Sequence, residues 1–166
     1  MLSAPVPLAP HHQLDDFSCG EPSLDDWLKR RAKANQASGA SRTFVVSEGN
    51  VVVAYYALAS GAVVVSSTAG KFRRNMPDPI PVVVLGRLAV AESHRGRGIA
   101  RALVRDAARR IVCAADTIGV RGIIVHALSA DAARFYAHLG FEPSPLDPLT
   151  LMVTLSDIRA SLARGS

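Results

Sequence analysis

The 166-residue sequence contains few cysteines, few aromatic residues and no long apolar run. Its two cysteines, Cys19 and Cys113, are too few and too far apart to predict a disulfide framework or a zinc site, so we expect free thiols, no metal and a reducing compartment. The valine runs are short and broken by Gly, Ser, Pro or charge, which argues against a membrane span. The N-terminus lacks the features of a signal peptide, and we therefore expect a cytoplasmic protein.

The length and the balance of residue types predict one α/β domain over residues 1–166, with no internal repeat. The formal net charge is +5. A basic protein favours polyanionic partners such as nucleic acid, but charge alone does not identify the partner.

The most informative segment is an apolar strand that leads into a glycine-rich turn and a helix. Residues 82–85 and 88–90 predict the strand, and Gly86-Arg87 interrupts it where a bulge or a close backbone approach is expected. Gly96 and Gly98 then remove side chains at the start of the helix. Unpaired amides can turn inward on an anion there, assisted by the helix dipole, and this predicts a phosphate cradle.

Two other phosphate motifs do not fit this segment. A P-loop needs a Gly-Lys-Ser/Thr ending, and a dinucleotide fingerprint needs wider glycine spacing and a later acidic residue. A glycine turn that merely starts a helix stays open as an alternative. Against it, Arg95 and Arg97 surround the same amides with positive charge.

The N-terminal half predicts a helix followed by strands. Ser23 is expected to cap the helix, whose later turns are basic and which ends before Gly39. A strand is expected at residues 42–47, and a long one over residues 51–59 and 62–66. The basic, proline-containing residues 71–81 predict a loop that faces the substrate.

The C-terminal half predicts two helices, further strands and an amphipathic tail from residue 157. The first helix is expected to bury Ile99, Leu103, Ala107, Ile111 and Ala114. Its other face carries an arginine row that is either solvated or, at its first two members, close to the phosphate: Arg97, Arg101, Arg105 and Arg109. Ser129 is expected to cap a second helix at residues 130–139, stopped by Gly140, with Phe135 and Leu139 in the core. Strands are expected at residues 122–128 and 149–155.

The pattern Arg95-x-x-Gly98-x-Ala100 after a Leu-Ala-Val strand closely resembles the pyrophosphate motif of the GNAT superfamily of N-acetyltransferases. This resemblance implies an α/β (α+β) fold with a mixed central sheet, splayed at the acetyl-CoA site and flanked by helices. It implies that the diphosphate of acetyl-CoA is bound by Arg95, Gly96, Arg97, Gly98, Ile99 and Ala100. The pantetheine arm would be bound by Leu88, Ala89 and Val90.

Residues 133–141 match the GNAT segment in which a tyrosine lies beside the CoA sulfur, so the resemblance implies that Tyr136 is the general acid. From the residues alone, a phenol with a pKa near 10 can donate a proton at neutral pH, although tyrosines are more often packed aromatics.

Residues 81–90 contain no carboxylate that could act as a base. Neutralising a lysine at pH 7 costs about 4–5 kcal/mol, but an α-amine costs only about 1–1.4 kcal/mol, so the site favours an α-amine. The histidines stay open as bases or as structural residues, with His126 the most plausible base.

Further segments resemble the GNAT toxins of bacterial type II toxin–antitoxin pairs, in collinear order over nearly the whole chain: residues 17–28, 35–36, 39–45, 73–81 and 85–90. The resemblance implies acetylation of the α-amine of aminoacyl-tRNA, arrest of translation, a homodimer and a ribbon-helix-helix antitoxin. Candidates for phosphate contacts to the tRNA are Lys29, Lys33, Arg42, Arg73, Arg74 and Arg87. Two alternatives stay open: an acetyltransferase of small-molecule or protein amines, and a non-catalytic nucleic-acid-binding or regulatory protein on this scaffold.

Overall fold

The structure is a computed structural model that describes residues 1–164, and within them the chain divides into two compact units. The first unit comprises Met1–Ala59 and Gly86–Ala107, and the second comprises Ser60–Leu85 and the described residues from Ala108 onward. The predicted domain over residues 1–166 and the predicted tail from residue 157 both include residues 165–166, which lie outside the described residues.

The first unit contains strands that follow one another in the order β1-β2-β3-β4. They are β1 (Val6–Pro7), β2 (Arg42–Glu48), β3 (Val51–Val63) and β4 (Ile80–Val90), of which β3 and β4 continue into the second unit. β1 and β3 both pair antiparallel with β2, with Val6 opposite Val45 and Phe44 opposite Tyr56. β1 is therefore a short strand at the edge of the sheet.

The single predicted N-terminal helix is two helices, α1 (Pro22–Arg30) and α2 (Ala32–Ser38), separated at Arg31. The prediction that Ser23 is the N-cap is wrong. Glu21 occupies that position and Pro22 follows it, because the fixed φ of proline suits the first helical residue. The predicted end is confirmed: α2 stops at Gly39, whose φ of 83° is left-handed.

The second unit continues the strands in the order β3-β4-β5-β7-β6, with β5 (Gly122–His126), β6 (Glu142–Pro143) and β7 (Thr150–Thr154). β4 and β5 are parallel, with Val83 opposite Ile123 and Leu85 opposite Val125, whereas β7 pairs antiparallel with both β5 and β6. The sheet is thus mixed, as the resemblance implied.

The remaining helices are α3 (Gly70–Arg73), α4 (Ile99–Ala114), α5 (Ala130–His138) and α6 (Leu155–Ala163). The prediction of a loop from residue 71 is wrong for the α3 residues, because Phe72 is an apolar anchor of the second unit. It packs in a buried cluster with Ile80, Val82, Ile124 and Met152. No helix within residues 1–164 has both the length and the apolar character that a membrane crossing requires.

Burial along α4 and β4 agrees with most of the predicted pattern. Four of the five predicted α4 positions are buried, but Ala114 is exposed because it is the last residue of the helix. In the first part of β4 the buried residues have even numbers, Ile80 and Val82, and in the later part they have odd numbers, Leu85 and Ala89. One extra residue in a strand shifts the buried face in this way, and the shift lies just before Gly86-Arg87.

Candidate active site

The glycine loop lies between β4 and α4, in the first unit. Gly96 and Gly98 have φ values of 78° and 75°, which side chains rarely adopt. A Cβ atom at either position would meet no heavy atom within 4 Å, so the requirement for glycine is conformational rather than steric. The two left-handed residues turn the chain directly into the helix.

The main-chain amides at the start of α4 face an exposed surface. The amide of Ala102 donates to the carbonyl of Gly98 at 3.1 Å, the first bond of the α-helical pattern. The amides of residues 99–101 consequently have no intrahelical acceptor. Residues 95–98 are exposed, so an anion has free access to this helix end.

The side chain of Arg95 is engaged within the protein. Its guanidinium donates to the carbonyl of Cys19 and lies 4.0 Å from the carboxylate of Glu92. The amide of Glu92 donates to the carbonyl of Ser18 at 2.9 Å, so both residues connect the loop to the turn at residues 17–20. Arg95 therefore stabilises the loop. Within residues 1–164 the first two members of the arginine row, Arg97 and Arg101, are exposed and have no side-chain partner.

The strand before the loop, β4, is paired with β5 over part of its length. Their parallel register covers Val83 to Leu85, whereas β4 continues to Val90. Of the predicted pantetheine-binding residues, Ala89 is buried and its two neighbours are half-buried.

Tyr136 lies on α5 and is the buried aromatic residue of that helix, with 8% of its surface exposed. Its ring meets those of Phe135 and Phe141 edge-to-face, with centroids 5.2 and 5.4 Å away. The predicted core residues Phe135 and Leu139 are only half-buried. At Gly140, where φ is 101°, the chain reverses and the amide of Phe141 donates to the carbonyl of Tyr136 at 3.2 Å, which brings the Phe141 ring against that of Tyr136.

Burial raises the pKa of Tyr136 to about 12. Within residues 1–164, the side-chain oxygens that are buried without a hydrogen-bond partner are those of Ser41 and Thr43. The Tyr136 hydroxyl is not among them and has no hydrogen-bond partner in the described part of the chain, so it reaches the surface. The phenol is protonated at neutral pH and its oxygen is accessible, which are the two properties that a proton donor needs.

The histidines that could act as bases have differing surroundings. His12 is buried, its Nδ1 lies 2.9 Å from the amide of Ala9, and burial lowers its pKa. His94 is buried, with its Nε2 3.7 Å from Glu48. His126 is exposed at the end of β5, with its Nδ1 3.1 Å from the hydroxyl of Thr150. The first two stabilise the protein locally, and His126 keeps an accessible ring.

The six basic residues predicted to contact tRNA are all exposed, but several already bind main-chain carbonyls. Lys33 donates to Pro10 and His12 (3.2 and 3.1 Å), Arg42 to Gln36 (2.8 Å) and Arg73 to Thr68 (3.3 Å). Lys29 and Arg74 have no side-chain partner within residues 1–164. Arg87 lies over the ring of Trp27, 5.3 Å from its centroid. Trp27 lies in residues 17–28, one of the segments that resemble the GNAT toxins, and no local pattern there predicted its contact with Arg87.

The family model described as an acetyltransferase (GNAT) domain matches residues 39–143. The chain belongs to the GNAT family. The matched residues include the glycine loop and Tyr136, whereas Trp27 and α1 precede them. The acetyltransferase prediction from the loop and strand is confirmed at the level of the family.

Two GNAT relatives align with almost the entire chain. The tRNA-acetylating toxin of Mycobacterium tuberculosis is 52% identical over 158 residues, which cover 95% of this chain and 95% of the relative. The probable toxin TacT of Sinorhizobium fredii is 26% identical, with coverage of 93% and 92%.

Solved GNAT structures have the same fold. AtaT complexed with acetyl-methionyl-tRNAfMet superposes with a TM-score of 0.89 at 26% identity, covering 98% of this chain and 99% of AtaT. A tyrosine-to-phenylalanine mutant of KacT gives a TM-score of 0.89 at 24% identity, covering 96% and 98%. The GNAT fold prediction is confirmed.

Proposed function

We propose that this GNAT protein is the toxin of a type II toxin–antitoxin pair, and that it transfers acetyl from acetyl-CoA to the α-amino group of aminoacyl-tRNA and so blocks translation. The observation that carries the proposal is the 52% identity to a tRNA-acetylating toxin over 95% of both chains. The complex of AtaT with acetyl-methionyl-tRNAfMet supports the same substrate.

The residues of the glycine loop fit the diphosphate of acetyl-CoA. The left-handed Gly96 and Gly98 direct the chain into α4, whose first amides lack intrahelical acceptors. Ile99 and Ala100 supply two of those amides, and the exposed side chain of Arg97 adds positive charge. Arg95 acts by holding the loop in place, and the main chain of residues 88–90 binds the pantetheine arm.

The transfer needs a neutral amine and a proton for the departing thiolate. An α-amine has a pKa of about 7.7–8, so a useful fraction is neutral at pH 7 without a strong base. The amine nitrogen forms a bond to the acetyl carbon as the carbon–sulfur bond breaks. Tyr136 donates its proton to the sulfur and regains one from the nitrogen, directly or through water, so the enzyme returns to its starting state. The products are N-acetyl-aminoacyl-tRNA and CoA.

The partners follow from the same relationship. We propose a cognate antitoxin of the ribbon-helix-helix type, a homodimer, and action in the cytoplasm, where charged tRNA is used. AtaT, at 25% identity, has been solved bound to the C-terminus of its antitoxin AtaR. KacTA, also at 25%, has been solved with DNA.

The decisive experiment is transfer of labelled acetyl from acetyl-CoA to a total pool of charged bacterial tRNA, followed by ribonuclease and mild base. We expect base-labile label that requires aminoacylation, and sequencing of the labelled tRNAs identifies the amino acid. The same pool after deacylation is the matched control. Label on free amines or on protein, with none on charged tRNA, would overturn the proposal in favour of the alternative acetyltransferase.

A further inference from the structure

Trp27 and Arg87 form a stacked pair in the first unit. The guanidinium carbon of Arg87 lies 5.3 Å from the centroid of the Trp27 ring. The Trp27 ring is parallel to that of Tyr55, with an interplanar angle of 8° and centroids 6.0 Å apart. The Trp27 ring thus contacts both the aromatic ring of Tyr55 and the guanidinium of Arg87.

Tyr55 anchors this stack to the core. It is fully buried, its hydroxyl donates to the carbonyl of Leu24 at 2.7 Å, and Phe17 meets its ring edge-to-face at 5.6 Å. A ring held by packing on one side and by a hydrogen bond at its tip cannot rotate freely. Tyr55 is consequently a fixed surface on which the half-buried Trp27 ring stacks, and Trp27 in turn restricts the rotamers of the Arg87 side chain that lies over it.

Arg87 has most of its hydrogen-bonding capacity available. Its side chain is exposed, and Nη1 donates to the carbonyl of the adjacent Gly86 at 3.0 Å. No carboxylate pairs with it within residues 1–164. A guanidinium carries five N–H donors in a rigid plane, which matches the geometry of a phosphate better than a lysine does.

The position of Arg87 along β4 relates it to the proposed chemistry. It immediately precedes residues 88–90, which are proposed to bind the pantetheine arm. Because a strand rises about 3.3 Å per residue, the Cα atoms of Arg87 and Val90 are separated by about 10 Å. A group bound by Arg87 is therefore close to the path of the arm that carries the acetyl group.

We propose that Arg87 binds a phosphodiester at the 3′ end of the aminoacyl-tRNA, and that Trp27 is a positioning residue that orients Arg87 by stacking. This inference rests on the proposed function and assigns part of its substrate contact. Trp27 acts only through Arg87, so its loss has no further effect once Arg87 is absent. The contact positions the RNA backbone and carries no sequence information.

The experiment measures binding of purified charged tRNA by fluorescence anisotropy, without acetyl-CoA, together with KM and kcat for acetyl transfer. We expect Arg87→Met and Arg87→Lys to weaken tRNA binding about tenfold or more, since a charge-assisted contact is lost or loses its fork geometry. We expect Trp27→Leu to weaken it about three- to fivefold and Trp27→Phe to restore most of the affinity. KM for tRNA rises in parallel, and kcat and KM for acetyl-CoA stay near their starting values.

A double-mutant cycle separates positioning from a structural effect. Trp27→Leu in the Arg87→Met background is expected to weaken tRNA binding no further, because the two residues act as one unit. Arg30→Met is the matched charge control, because it removes an exposed cation from α1 instead of from β4. We expect it to change the affinity for charged tRNA by less than about twofold. Melting temperatures of all variants report on folding.

The outcomes distinguish this inference from the proposed function. The inference would be overturned if neither Arg87 variant changed the affinity for charged tRNA. It would also be overturned if Arg87→Met weakened binding tenfold but Trp27→Leu weakened it further in the Arg87→Met background. A chain that fails to bind charged tRNA would overturn it as well. A chain that binds charged tRNA through Arg87 and Trp27 but never acetylates it would leave the inference standing and refute the proposed function.

Discussion

Replacement of Gly98 by alanine tests whether the left-handed glycine loop serves acetyl-CoA binding. Gly98 has a φ of 75°, and a Cβ atom there meets nothing within 4 Å. The cost of Gly98→Ala is therefore conformational. A left-handed alanine costs about 1–2 kcal/mol, offset in part by about 0.4–1 kcal/mol from the more restricted unfolded chain.

Two outcomes are open to the substituted loop, and both weaken binding. If it keeps its shape, the added methyl group lies at the amides that face the anion. If it relaxes to a favourable φ, acetyl-CoA must restore the left-handed turn, and 1–2 kcal/mol corresponds to about 5- to 30-fold in affinity. Stability is expected to fall by about 1 kcal/mol, or about 2–4 °C in Tm.

Two further glycines provide matched controls. Gly49 has a φ of 63° and open space around its Cβ position, but it lies in the turn between β2 and β3. Gly49→Ala should lower Tm like Gly98→Ala and leave acetyl-CoA binding unchanged. Gly119 has open space and no left-handed φ, so Gly119→Ala should raise Tm slightly, through the more restricted unfolded chain, and leave acetyl-CoA binding unchanged. Isothermal titration calorimetry measures the affinity for acetyl-CoA, and thermal unfolding measures Tm. An unchanged acetyl-CoA affinity in Gly98→Ala would show that the left-handed turn does not serve binding.

Four other predictions concern single groups. Tyr136→Phe should lower kcat about 10²-fold or more and relieve growth arrest with Tm nearly unchanged; undiminished arrest would contradict the role of the phenol. The kcat/KM for charged tRNA should rise through the amine pKa of about 7.7–8 and show no fall below pH 10, since the acid must stay protonated and the pKa of Tyr136 is about 12. A thiol reagent at pH 8 should modify exposed Cys113 rapidly and Cys19 only after unfolding, because burial raises the pKa of Cys19 to about 11. Tyr56→Phe should reduce the free energy of unfolding by about 1–3 kcal/mol in urea, because its hydroxyl donates to Asp106.

Much of the candidate site could be predicted from residues that are close together in the sequence. Gly96 and Gly98 lie between an apolar strand and a helical stripe, and the structure gives both the left-handed backbone that only glycine adopts easily. Ser129 was predicted as an N-cap, and its hydroxyl accepts from the amide of Ala132 at 3.1 Å. Such features depend on residues within a few positions of one another, so the sequence contains them directly.

Contacts between distant residues could not be predicted in the same way. The resemblance to the GNAT pyrophosphate motif implied that Arg95 binds the diphosphate, but its guanidinium donates to the carbonyl of Cys19, which is 76 residues away in sequence. The Ser23 cap was wrong for a local reason, since proline one residue earlier takes the first helical position.

Short-range periodicity and backbone preference were enough to predict the strand, the glycine loop and the helix that follows, and with them the resemblance to acetyltransferases. Which cations are already bound within the protein and which remain accessible depends on the folded chain. The fold also makes Tyr136 the buried ring of its helix, in contact with Phe141 after the reversal at Gly140, and it places the Trp27 ring against both Tyr55 and Arg87. These properties depend on side chains that folding brings together from separate segments, and no local pattern specifies them.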